Sequence, residues 1–96
     1  ADVALTYREH KTRAEAVVKA IQLMQRKAFA YACDVSDFEQ VKAVVDRARA
    51  DLGKIDFLIN NAGIWKFGAI DQLTPEKWRE TLSANLDGVF HFTRWV

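Results

Sequence analysis

Apolar positions along the chain alternate between short unbroken runs and stripes at three- and four-residue intervals. This alternation predicts strand, helix, strand, helix, strand, helix. Asp2 to Tyr7 is a short, partly β-branched run that leads into polar Arg8-Glu9-His10-Lys11, and it reads as a strand and a turn. Thr12-Arg13-Ala14-Glu15 has the Thr-x-x-Glu form of a capping box, so a helix is expected to follow. Ala14, Val17, Val18, Ile21 and Met24 would form its inner stripe, with Arg26 and Lys27 opposing the dipole of its carboxyl end. Ala28 to Cys33 reads as a second strand that ends at Asp34-Val35.

Ser36-Asp37-Phe38-Glu39 repeats the capping-box form, and Val41, Val44, Val45, Ala48 and Leu52 trace a stripe that stops at Gly53, a suitable left-handed cap. Ile55 to Ile59 is an apolar run without helical spacing, expected to be a parallel strand buried on both faces. The loop that follows carries Trp65 and Phe67. Thr74-Pro75-Glu76 then opens a third helix, with threonine as cap, proline in the first turn and an acid near the positive end. Its inner face is read as Trp78, Leu82, Leu86, Val89 and Thr93. Alternation of this kind implies an α/β fold with a parallel sheet, forming a single domain or part of one over residues 1–96.

Half of the 96 residues are hydrophobic, which fits a globular chain. A net charge of +1 with dispersed Lys and Arg gives no electrostatic footprint for nucleic acid. One cysteine, Cys33, precludes an internal disulfide framework and is expected to be a buried small residue rather than a thiolate. No apolar run reaches membrane-spanning length, and His10 and His91 lack ligand spacing, so no metal and no membrane are expected and the reading is a soluble, cytoplasmic protein.

The polar pair Asn60-Asn61, followed by Ala62 and Gly63, falls at the carboxyl end of the third strand, where open α/β sheets bind ligands. Asn60-Asn61-Ala62-Gly63 in this setting resembles the Asn-Asn-Ala-Gly motif of the short-chain dehydrogenase/reductase family. The resemblance is collinear over nearly the whole chain and implies part of a Rossmann-like doubly wound sheet. By that resemblance, Asp34 and the Val35 amide contact the adenine of a dinucleotide, Asn60 to Gly63 line its ribose and nicotinamide side, and Asn85 holds a water in the catalytic proton relay. Two plainer readings stand beside these: Asp34 forming an Asx turn before Ser36, and Asn85 making a hydrogen bond unrelated to chemistry.

The first strand ends Thr6-Tyr7-Arg8, with Tyr7 where NAD-preferring folds carry an acid and a cation next to it, so NADP is expected over NAD. Trp65 and Phe67 read equally as a wall of a substrate pocket or as ordinary loop aromatics. Gly88 is read as permitting close approach of a partner, because the family associates through this helix, and a homo-oligomer is expected.

The family's Gly-rich loop would precede Ala1, and its catalytic serine and Tyr-x-x-x-Lys pair would follow Val96. The chain is therefore read as an internal piece of a longer oxidoreductase acting on a small carbonyl or alcohol, inactive by itself. The rival reading is a non-catalytic interaction module, and a phospho-receiver domain would need clustered acids that Asp34 alone does not supply. In the order 3-2-1-4-5-6 the strands present correspond to 2, 3 and 4, so the third is expected to have no neighbour within this chain.

Overall fold

A computed structural model describes residues 1–66 and 68–96; Phe67 lies outside the described residues. Strand β1 (Val3–Tyr7) pairs in parallel with β2 (Ala28–Ala32), in a register running from Val3 opposite Ala28 to Tyr7 opposite Ala32. Helix α1 (Lys11–Leu23) makes the crossover between them, and α2 (Phe38–Leu52) follows β2. A long segment without regular structure leads to α3 (Pro75–Leu82), a π turn (Ser83–Asp87) and α4 (Gly88–Trp95), which form one continuous helix.

The expected α/β order is present, but the third strand is not. Ile55 to Ile59 has no ladder partner among the described residues, and Phe57 and Ile59 are 87% and 83% exposed rather than buried on both faces. The run has the apolar content of a central strand, but no flanking strand supplies hydrogen bonds or cover. The radius of gyration, 15.1 Å, exceeds the roughly 12–13 Å of a compact domain of this length, as an undocked segment requires.

Side chains spaced two apart on β2 and just beyond it, Tyr31 and Cys33, face α2. Cys33, Val41 and Val45 form the centre of the core, with Val44, Ile55, Phe92 and Trp95 packed around them. The α2 stripe is as expected: Val41, Val45 and Ala48 are buried, and Gly53 ends the helix at φ 85°.

The caps differ from expectation. Helix α1 begins at Lys11, so Thr12 already lies inside it and no side chain caps its start. Only Ala14 is buried on that stripe, while Val17 and Met24 are exposed. Arg26 lies beyond α1, where it pairs with Asp2 at 3.0 Å. On α2 the cap is Asp37, whose Oδ1 accepts from the Glu39 and Gln40 amides, because the Ser36 hydroxyl is engaged by the Asp34 carboxylate. Thr74 caps α3 as expected, accepting from the Lys77 amide at 3.3 Å.

The inner face of the last helix is also different. Trp78, Leu86, Val89 and Thr93 are exposed and Leu82 is half-buried; the buried positions are Ala84, Gly88 and His91. The π turn adds a residue to one turn and so rotates the following stripe by about 100°. Gly88 does permit a close approach, but to this chain's own Val35: a Cβ there would lie 2.8 Å from Val35 Cγ2 and 3.1 Å from Val35 Cβ.

Alanine in place of an interior helix glycine ordinarily gains about 1 kcal/mol, whereas overpacking costs about 1–3 kcal/mol. Gly88→Ala is therefore expected to lower the melting temperature, and a rise would show that Val35 yields freely. Tyr31 donates its hydroxyl to Asp51 Oδ2 at 2.6 Å; burial first, then this bond to a carboxylate, pushes the phenol up to about 12. A raised value means that stability is complete below the ordinary phenol range near 10 and is lost as pH rises through about 12. Tyr31→Phe is expected to flatten the fall in melting temperature over that interval; an unchanged slope would refute the assignment.

Candidate functional site

Because β1 and β2 are parallel and in register, Tyr7-Arg8 and Cys33-Asp34-Val35 emerge side by side at the carboxyl edge of the sheet. The ladder extends one step further, with the Cys33 amide donating to the Tyr7 carbonyl at 2.9 Å. Here the Arg8 Nε lies 3.9 Å from Asp34 Oδ2.

Asp34 does form the Asx turn. Its Oδ1 accepts from the Ser36 amide at 3.0 Å and the Ser36 hydroxyl at 2.6 Å, while its carbonyl accepts from the Asp37 amide at 3.0 Å. The Ser36 hydroxyl, then the Ser36 amide and the Arg8 charge, hold the carboxyl below the usual carboxylate range against the opposing effect of burial. The Asp34 amide donates to Gln40 Oε1 at 3.0 Å, and Gln40 in turn donates to Asp37 Oδ2. Oδ1 is thus spent on the turn, and Oδ2 faces Arg8. The Val35 carbonyl is bonded to His91 Nδ1 at 2.9 Å, whereas the Val35 amide has no partner among the described residues.

Asn60 to Gly63 is exposed and irregular. The Asn60 amide donates to Thr93 Oγ1 at 3.5 Å, and the Asn61 backbone N–H donates to the Ile59 carbonyl at 3.1 Å. Asn85, in the π turn, uses both ends of its amide on one residue: Oδ1 accepts from the Ile64 N–H and Nδ2 donates to the Ile64 carbonyl, each at 2.8 Å. Gly63 allows this grip, since a Cβ there would sit 3.1 Å from Asn85 Oδ1.

A small cavity of about 110 Å³ brings together six of the expected residues, Tyr7, Arg8, Asp34, Val35, Ala62 and Gly63. It adjoins an open cleft of about 980 Å³ that continues past Arg13 of α1 to Lys66, Glu76, Arg79 and Glu80. Asn60 and Asn61 line neither, and Asn85 reaches the site only through Ile64. Gln40 and His91, which fix the Asp34-Val35 turn, were not evident as site residues in the sequence. The only hint of Gln40 is its place one turn into a helix that follows Asp34, and His91 gives none without the phase of the last helix.

Other candidates acquire no role. Cys33 is buried, and burial, then Asp34 and Asp37, pushes its thiol up to about 11. Tyr7 and Lys11 do have Tyr-x-x-x-Lys spacing, contrary to the reading that places such a pair only beyond Val96. However, Tyr7 closes β1 and Lys11 opens α1, so they are not neighbours on one helix face, and Lys11 lies 3.7 Å from Glu15. Trp65 is exposed and Phe67 is outside the described residues. Among the described residues there is no group of three His, Cys, Asp or Glu able to hold a metal, and no helix is long and apolar enough to cross a membrane.

A family model described as short chain dehydrogenase matches residues 1–96. The chain is 37% identical over 94 residues to an uncharacterized oxidoreductase of Methylorubrum extorquens, covering 98% of this chain and 38% of that protein. It is 34% identical over 90 residues to the 3-oxoacyl-[acyl-carrier-protein] reductase FabG of Staphylococcus aureus, covering 94% and 37%. Among solved structures, a short chain dehydrogenase from Burkholderia cenocepacia in complex with NADP superposes with a TM-score of 0.95 at 38% identity, covering 98% of this chain and 38% of that one. The chain thus spans less than two fifths of the length of each of these proteins.

The Asn85 grip generates a prediction independent of activity. Asn85→Ala is expected to speed hydrogen exchange at the Ile64 amide by about tenfold, the value of roughly one lost hydrogen bond. Unchanged protection would show that the loop does not depend on it.

Proposed function

Because this chain belongs to the short-chain dehydrogenase family, we propose that the intact protein is an NADP-dependent oxidoreductase acting on a small carbonyl or secondary-alcohol substrate. The observation that carries this reading is the meeting of Arg8, Asp34 and Gly63 around one cavity at the carboxyl edge of a parallel sheet. Bound there, the dinucleotide would supply hydride at nicotinamide C4.

The donor set fits NADP. Among the described residues Arg8 is held by a long contact to Asp34, and its side chain is 61% exposed, which leaves the guanidinium available to a 2′-phosphate beside Tyr7. No acid occupies the end of β1, where an NAD-preferring site would bind the ribose hydroxyls. Just beyond β2, the Asp34 carboxylate and the Val35 amide, which has no partner among the described residues, are an adjacent acceptor and donor suited to an adenine edge. Asn60, Asn61, Ala62 and Gly63 would follow the ribose and nicotinamide side. Asn85 would act in the relay family members use, while its amide also fixes Ile64.

Two comparisons support this reading: the solved neighbour described with NADP, and the relative named as a reductase of a 3-oxoacyl group, which is a ketone. The 96 residues alone are not expected to turn over, since the described residues offer no tyrosine and lysine on one helix turn. Leu86, Val89 and Phe90, exposed on the last helix, support a dimer or tetramer of the intact protein, and a cytoplasmic location accords with its single, unbridged cysteine.

Arg8→Ala in the intact protein is expected to raise KM for NADPH by about 10–100-fold, the value of a charge-assisted bond of about 1.5–3 kcal/mol, while KM for NADH changes by less than about threefold. Initial rates with both coenzymes decide it. Equal effects on the two, or a wild type that prefers NADH, would overturn the assignment.

A further inference from the structure

His91 has no assigned role, yet it is the buried polar side chain nearest the Asp34-Val35 turn. It is 9% exposed, with its ring set edge-on to Phe38 at 5.2 Å and against Phe90 at 5.9 Å between centroids. Its Nδ1 lies 2.9 Å from the Val35 carbonyl oxygen. A carbonyl can only accept, so Nδ1 carries the hydrogen and donates. One turn earlier on the same helix, Gly88 abuts the Val35 side chain so closely that a Cβ would lie 2.8 Å from it.

The turn is therefore gripped from two directions. Helix α2 takes the Asp34 amide through Gln40 and the Asp34 carbonyl through the Asp37 amide. Helix α4 takes Val35 at its carbonyl and its side chain. What these bonds leave over is Asp34 Oδ2 and the Val35 amide, the pair to which an adenine contact has been given above. The planar peptide that carries the Val35 carbonyl carries the Ser36 N–H at its other end, and that N–H donates to Asp34 Oδ1, so swinging the carbonyl would carry the Ser36 amide with it and turn the Asp34 carboxylate.

Resting on the NADP reading above, we propose that His91 is a positioning residue for the adenine end of the site: its Nδ1–H fixes the Val35–Ser36 peptide, whose Ser36 N–H holds Asp34 Oδ1, and thereby aims the Asp34 carboxylate. It touches no ligand itself. Its effect falls on the adenosine half, because the nicotinamide-side segment is held separately by Asn85 on Ile64.

The test is isothermal titration of the intact protein with adenosine 2′,5′-bisphosphate, which carries the adenine and the 2′-phosphate without the nicotinamide. His91→Leu is expected to weaken binding by about tenfold, the equivalent of one hydrogen bond. His91→Asn, whose amide can donate from about the place of Nδ1, is expected to bind within about threefold of wild type, and His91→Gln, whose amide sits nearer Nε2, to bind as weakly as the leucine variant. A leucine variant indistinguishable from wild type, or an asparagine variant no better than leucine, would overturn the proposal. If leucine prevents folding, the contrast between asparagine and glutamine decides, and equal affinities would overturn it. Failure of the wild type to bind the probe would instead overturn the NADP reading and take this proposal with it.

Discussion

At residue 88 the last helix, bare of a side chain there, comes directly against Val35 just beyond the end of β2, and the site takes its form from that approach. Val35 Cγ2 occupies the space a Cβ would need. With the helix at this depth, His91 reaches the Val35 carbonyl, Trp95 and Phe92 reach the Cys33–Val41–Val45 core, and Asn85, three residues before the glycine, reaches Ile64. One helix thus holds both the Asp34-Val35 turn and the segment following Asn60 to Gly63. The π turn sets the rotation between these contacts, which places Asn85 toward the loop while Gly88 and His91 meet the turn.

What could be read from the sequence was whatever depended on local pattern. The stripe of α2 and its glycine stop were legible because period and terminator agree within one element. The cap of α2 was misplaced by one residue because Ser36 and Asp37 both suit the role; a nearby carboxylate, Asp34, decided between them by engaging the serine hydroxyl. The buried face of the last helix was misread because a uniform 3.6-residue period was assumed across a turn that breaks it. For the third strand, burial on both faces was misread, whereas its lack of a neighbour within this chain, expected from the strand order, is what the described residues show. Its composition shows a capacity for burial, but a strand exists only with a partner, and partners are a property of the whole sheet.

The site was legible in part. Tyr7, Arg8, Asp34, Val35, Ala62 and Gly63 do meet, because strand ends in a parallel sheet must lie together. Resemblance pointed to these positions, but not to their supports. Gln40, His91 and the double bond from Asn85 to Ile64 depend on three-dimensional registration that no spacing in the chain records.

The bare run from Ile55 to Ile59 has a thermodynamic meaning beyond its lack of a ladder. Among the described residues its backbone has no strand to either side, and it continues directly into Asn60 to Gly63. Any strand that comes to pair with it would order the Asn60 to Gly63 segment in the same step, and any ligand that orders that segment would favour pairing. Completion of the sheet and affinity for a ligand at its edge are therefore linked quantities, so that the entropy spent in fixing this stretch is charged once, to whichever event comes first.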